Sequence, residues 1–406
     1  MYSIFITLFY FLSFLLLCSL FVRFSHIHLL FHISIAVFRS YFIIFAFQYI
    51  FMKITSHYFK YYFLILSASL FFSCSDNTEK APDTSAIKIN YRSYRFDKDL
   101  YALDTNNIGS GLTQLKAKYP SFLNYFLDTL MAYEIYGNYS DTLIGVREGL
   151  KPFITFKDYK DLQDSIEKHY PDTKGVDEHL SEAFKRLKLY MPESPVPAIM
   201  YLNLGLSKWP SFPVDSNTHC IALDMFLGDY FPHYASVGAP QYLYMHRREA
   251  YIPVSVFSAI YRGDHPWDPQ EKSLLELMID KGIEQYYLHK LLVGTPDSVL
   301  FGFSKTNIDW CNANEAMVYN FFVQNKLLYS KVAMDIMSYV TDGPFARGLE
   351  PVSNPVKLTP GNIGTWMGYK IVASYMAQNP NVTLKDLISQ KQDAVQILEM
   401  ARYKPR

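Results

Sequence analysis

Pro360-Gly-Asn-Ile-Gly-Thr-Trp-Met-Gly-Tyr-Lys-Ile-Val-Ala-Ser-Tyr-Met376 opens with a proline suited to helix entry. It then sets Gly364 and Gly368 four residues apart among apolar neighbours. Four residues is just over one helical turn, so both glycines share a face smooth enough for another helix to approach closely. A second helix, over 274–292, carries Gly282 in its interior. A mid-helix glycine costs about 1 kcal/mol against alanine, so close packing or a ligand has to compensate. Asp268-Pro-Gln-Glu271 reads as the capping box of that helix, with Pro269 in its first turn. Residues 306–329 form a further helix, and Thr383-Leu-Lys-Asp386 caps a last one.

Outward from this block the pattern stays mostly helical. Residues 112–136 carry apolar positions at intervals of three and four, with Pro120 marking a break. Residues 158–170 align Tyr159, Leu162, Ile166 and Tyr170. Residues 176–191 align Leu180, Phe184, Leu187 and Met191, with charges opposite. Three runs read as strands: 87–96, which alternates, then 196–204 and 219–227. The last two read as a hairpin-like pair around a long loop that holds Pro210 and Pro213. The expected fold is α+β, mostly α-helical with a small antiparallel sheet, in one globular domain over 91–406.

The chain before that domain reads as a targeting signal. Lys53 and Lys60 supply a positive segment, 61–72 is an apolar run, and Ser73 and Cys74 precede a polar stretch. Such a run is too short to span a bilayer, which takes roughly 20 apolar residues. It suits a lipoprotein signal peptide over 52–73, with Cys74 as the lipid-attachment residue and 74–90 as a flexible tether. Phe71 stands where a lipobox prefers leucine. Residues 1–51 hold two long apolar runs. No Asp or Glu precedes Asp76, no Gly precedes Gly109, and 16 of the 31 Phe lie before Cys74. We read 1–51 as a biased segment upstream of a true start at Met52.

Composition narrows the partners. Four of the 38 basic residues precede Cys74, and all 38 acidic residues follow it, so the remainder is net acidic by four. Nucleic acid is disfavoured, because phosphate neutralisation needs clustered Lys and Arg. Cys220 and Cys311 are equally compatible with a disulfide and with two buried thiols.

Seven histidines follow Cys74: His169, His179, His219, His233, His246, His265 and His289. None belongs to a His-Glu-x-x-His pair, and no phosphate loop or nucleophile elbow is present. His246-Arg-Arg-Glu249 would share a face if helical, with His289 or Asp280 as conceivable third ligands; a solvated charged face is the plainer reading. Tyr-rich stretches at 230–244, Tyr286-Tyr287 and Phe301-Gly-Phe303 suit either a carbohydrate or peptide groove or a core. No catalytic residue, metal ligand or cofactor is assigned.

Several blocks resemble the gliding motility lipoprotein GldB family. They are Tyr201-Leu-Asn-Leu204, the stretch from His219 to Gly228, the run from Leu274 to Gly282, Asp309-Trp-Cys-Asn-Ala-Asn-Glu315, Gly343-Pro-Phe345 and the opening block from Pro360. The resemblance implies a membrane-anchored lipoprotein of the cell envelope, facing the periplasm or cell surface. It would act in motility or associated secretion through contacts with other envelope proteins. The same blocks are distantly similar to predicted zinc peptidases of gluzincin type. That similarity implies a zincin-like scaffold whose ligands are missing: the first helix, near 251–261, has no His or Glu, and Lys281 stands before Gly282 where a ligand carboxylate belongs. Two alternatives follow: a metal-dependent hydrolase built around His246 and Glu249, or a carbohydrate- or peptide-binding lipoprotein.

Overall fold

The computed structural model describes residues 81–206, 209–349, 359–389 and 393–406. These fall in one compact unit, Glu79–Arg406. The apolar segment 1–51, the signal peptide 52–73 and Cys74 lie outside the described residues.

Four strands form one sheet: β1 (Ser93–Arg95), β2 (Ala198–Leu202), β3 (Ser211–Asp215) and β4 (Thr218–Ala222), in the order β1-β2-β4-β3. The sheet is mixed rather than antiparallel. β2 runs parallel to β1 and to β4, and only β3 is antiparallel to β4. The expected hairpin of 196–204 with 219–227 is therefore corrected: the two segments pair, but in parallel. The loop between them supplies β3, which turns back into β4 at Asn217, whose N–H is accepted by Asp215. Pro210 and Pro213 hid this strand. A proline is tolerated at a sheet edge, where its missing N–H breaks no ladder bond.

Helices pack on both faces. The main ones are α1 (Phe96–Tyr101), α2 (Ile108–Lys118), α3 (Lys157–His169), α4 (Lys174–Tyr190), α5 (Ile252–Asp264), α6 (Leu274–Leu291), α7 (Lys305–Ala313), α8 (Glu315–Gln324), α9 (Ala333–Val340), α10 (Ile363–Gln378), α11 (Leu384–Ser389) and α12 (Ala394–Ala401). Alternation along the strands sends Ile199, Tyr201 and Ile221 to one core, with α4, α5, α6 and α10. Met200, Leu202 and Cys220 go to the other, with α1, α2 and the π-helical turns Tyr125–Leu130 and Gly145–Leu150. Phe96 centres this second core, with the rings of Phe122 and Phe126 at 5.0 and 4.8 Å. Cys220 and Cys311 thus belong to separate cores, both buried and unpaired. Asp177 of α4 ties the larger layer to the sheet, accepting from Tyr91, Ser93 and Tyr201.

Several helix boundaries differ from expectation. The box at Asp268 does not start α6: Glu271 turns left-handed (φ 58°), and Ser273 with Glu276 forms the capping box instead. The expected helix over 306–329 divides at Asn314 into α7 and α8. Asn362, at φ 61°, precedes α10, so Pro360 stands just outside it. Thr383 and Asp386 cap α11 as expected, but α12 follows, capped by Asp393. The long strand over 87–96 contracts to β1, and Phe96 opens α1. From Thr84 the tether already lies against α4, donating to Glu182.

The opening block decides the larger layer. α6 and α10 meet at their glycines: a Cβ on Gly282 would lie 2.4 Å from the carbonyl of Gly368, and one on Gly368 only 1.8 Å from the carbonyl of Met278. Backbone thus packs directly on backbone, which accounts for a glycine in the middle of each helix.

Candidate functional site

Beside this seam the adjoining flank of α6 opens. A cleft of about 760 Å³ lies between α5, α6, the edge strand β3, the segment around His246 and Tyr251, and the start of α10. Glu284 is buried and pairs with Arg262 of α5 at 2.8 Å. Lys281 sits with its ammonium 4.5 Å from the centre of the Trp267 ring. Burial, and next the Arg262 guanidinium, hold the Lys281 amine below its ordinary range. The Gln285 side-chain Oε1, the Trp267 indole N–H and the Arg247 Nε are buried without hydrogen-bond partners. Buried polar groups are seldom left this way, so a concentration of them along one cleft points to a ligand or solvent as the missing partner.

At the cleft edge the Ser211 hydroxyl meets His219 Nε2 at 2.6 Å. This is the spacing of a nucleophile and its base, but the environment opposes that use. His219 is fully buried, its Nδ1 has no partner, and burial pushes its pKa down to about 3. An imidazole so reluctant to take a proton is a poor general base near neutral pH. The pair instead fixes Ser211 on the sheet.

The residues singled out from the sequence do not converge. His246 borders the cleft, but its ring is stacked on Tyr251 at 4.4 Å and covered by Gly302, where a Cβ would meet its Nε2 at 2.0 Å. Glu249 is exposed in a separate 3-10 turn. His289 has neighbours of its own: its Nδ1 donates to the Gln285 backbone carbonyl at 2.7 Å and its Nε2 lies 3.4 Å from the Asp297 carboxylate, while Asp280 pairs with Lys272. Among the described residues no group of three or more His, Cys, Asp or Glu could hold a metal ion. Of the aromatic stretches, Tyr234, Tyr287, Phe301 and Phe303 are buried, with Phe301 also lining the cleft, whereas Tyr230 and Tyr242 are exposed; the Tyr234 hydroxyl bridges Leu227 N and Asp224 O.

The cleft residues Arg262, Glu284, Gln285, Trp267 and Ser211 were not found from the sequence. One signal was there: Glu284 and Gln285 follow Lys281 at intervals of three and four, which puts the three on one side of the helix. Among the described residues no helix is long and apolar enough to cross a membrane.

No curated protein and no solved structure matches this chain. The zincin similarity therefore has no solved counterpart to support it. The family described as Gliding motility protein GldB matches residues 77–405, a span that takes in the sheet, both packed layers and the cleft. Over that length the chain belongs to the GldB family of gliding motility lipoproteins, membrane-associated proteins of the cell envelope.

Proposed function

We propose that this protein is a lipid-anchored envelope component, held through Cys74, that serves gliding motility or its associated secretion machinery by binding another protein rather than by catalysis. The observation behind this reading is the cleft flanked by α5, α6 and β3. It concentrates unpartnered buried donors and acceptors, and its only close Ser–His pair among the described residues has a base disabled by burial. Such a cleft is equipped to recognise rather than to react.

Lipid attachment is tested by metabolic labelling with an alkyne fatty acid. The full chain should take up label, and Cys74→Ser should not; equal labelling of the variant would refute the anchor. Partner binding is tested in cells lacking the protein. A Lys281→Glu, Arg262→Glu double variant, expressed at parental level in the membrane fraction, should fail to restore motility. Full restoration would remove the cleft from the function.

A further inference from the structure

We infer that the cleft receives an extended peptide segment that adds to the free edge of β3 and places a carboxylate against Lys281. This rests on the reading of the cleft as a protein-binding site. The first observation is the sequence of lining residues: Pro210, Ser211, Phe212 and Pro213 all border the cleft. Side chains alternate across a strand, so a groove lying over one face would be bordered by every second residue. Three strand residues in succession, with Pro210 just before them, mean that the edge of β3 itself lines the cleft.

Hydrogen-bond phase fixes what that edge offers. The Ala222 amide donates to Pro210 O, and Ser211, Phe212 and Pro213 stand opposite Ile221, Cys220 and His219. In an antiparallel pair, inward and outward backbone groups alternate. Phe212 therefore faces β4, while the Ser211 amide and the Ser211 and Pro213 carbonyls turn toward the cleft. Pro213 falls where its missing N–H is on the outside. It limits how far a new strand can zip along the edge, which guards the edge against indiscriminate pairing while leaving it open to a short segment.

Charge selects the segment. Arg262 is matched by Glu284; Lys281 feels the Glu284, Asp342 and Asp280 carboxylates but forms no ion pair with any of them among the described residues. Its ammonium lies 4.5 Å from the centre of the Trp267 ring, whose N–H has no partner, and both groups are donors. Their common complement is a carboxylate, from an acidic side chain or from a chain terminus.

The test uses the full-length lipoprotein in detergent micelles and an array of short acetylated peptides alternating Val and Thr. Each carries Asp or Glu at one position; counterparts carry Asn or Gln, or a free instead of an amidated C-terminus. Acidic peptides should bind about tenfold more tightly than their neutral counterparts. That preference should vanish in Lys281→Met, and N-methylation of alternate peptide amides should abolish binding. A preference confined to free C-termini assigns the carboxylate to a chain end; one confined to Asp and Glu assigns it to a side chain. Equal binding of neutral peptides, or full binding of N-methylated ones, would overturn the inference. No peptide binding, with motility still lost in the charge-reversed cells, would overturn the strand-addition mode alone and leave the protein-binding cleft standing.

Discussion

The two flanks of α6 are built on opposite terms. Toward α10 the helix shows Gly282, and backbone meets backbone with no room for a methyl group. Toward the cleft it shows Lys281, Glu284 and Gln285, with polar groups left unpartnered in a space of about 760 Å³. Lys281 and Gly282 are neighbours in the chain, so the helix carries a structural and a recognition surface within a single turn. The closed flank should be intolerant of volume and indifferent to charge. The open flank should tolerate volume and respond to charge.

The harshest way to break this contrast is Gly368→Ala. Its methyl would sit 1.8 Å from a backbone carbonyl, which no rotamer change relieves. Overpacking of this kind typically costs about 1–3 kcal/mol, and here the upper end or more is expected. Chemical denaturation measures it; an unchanged midpoint would mean that the helices do not meet as described.

A second test uses acid and the His219–Ser211 contact beneath the cleft edge. His219 stays neutral in the folded chain down to about pH 3, whereas the unfolded imidazole takes a proton near 6.5. Its contribution is present above 6.5 and is lost as pH falls toward 3, by several kcal/mol on the scale of about 1.4 per unit. His219→Gln should therefore lose its disadvantage to the parent chain progressively on acidification. Asp224, raised to about 6 by burial, acts with the opposite sign. It favours the folded chain below the unfolded carboxyl's value of 3.8, and that advantage fades as pH rises through 6. Comparing His219→Gln with the parent at each pH separates the two.

On the open flank, Glu284→Gln should cost about 1 kcal/mol, since Arg262 is half exposed and remains solvated without its partner. A cost of several kcal/mol in a denaturant titration would show the pair to be structural. The smallest effect on stability belongs to Lys281→Met, which keeps the stem over Trp267 and removes the charge. Its midpoint should stay within roughly 0.5 kcal/mol of the parent, even as the carboxylate preference disappears.

The helices were legible where spacing was strong and a local signal ended them. Residues 158–170 and 176–191 became α3 and α4 within two residues at each end, and Thr383 caps its helix as expected. The box at Asp268 misled because capping chemistry is local, while the left-handed turn at Glu271 depends on how the following chain docks. β3 was missed because two prolines disguise an edge strand as a loop. The His246–Glu249 pair failed for a related reason: it needed one helix through both residues, and the chain forms two separate 3-10 turns there.

The amino-acid order by itself determined the α+β class and the demand of Gly282, Gly364 and Gly368 for a close neighbour, and it alone carries the expectation of a lipid anchor at Cys74. Each of these depends on composition or on short-range periodicity. Only the tertiary structure decided which surfaces answer that demand, how β2 and β4 pair in parallel around a strand hidden by prolines, and that Lys281, Arg262 and Ser211 share one cleft. Those are matters of which distant segments meet, and the chemistry of one segment does not specify its partner.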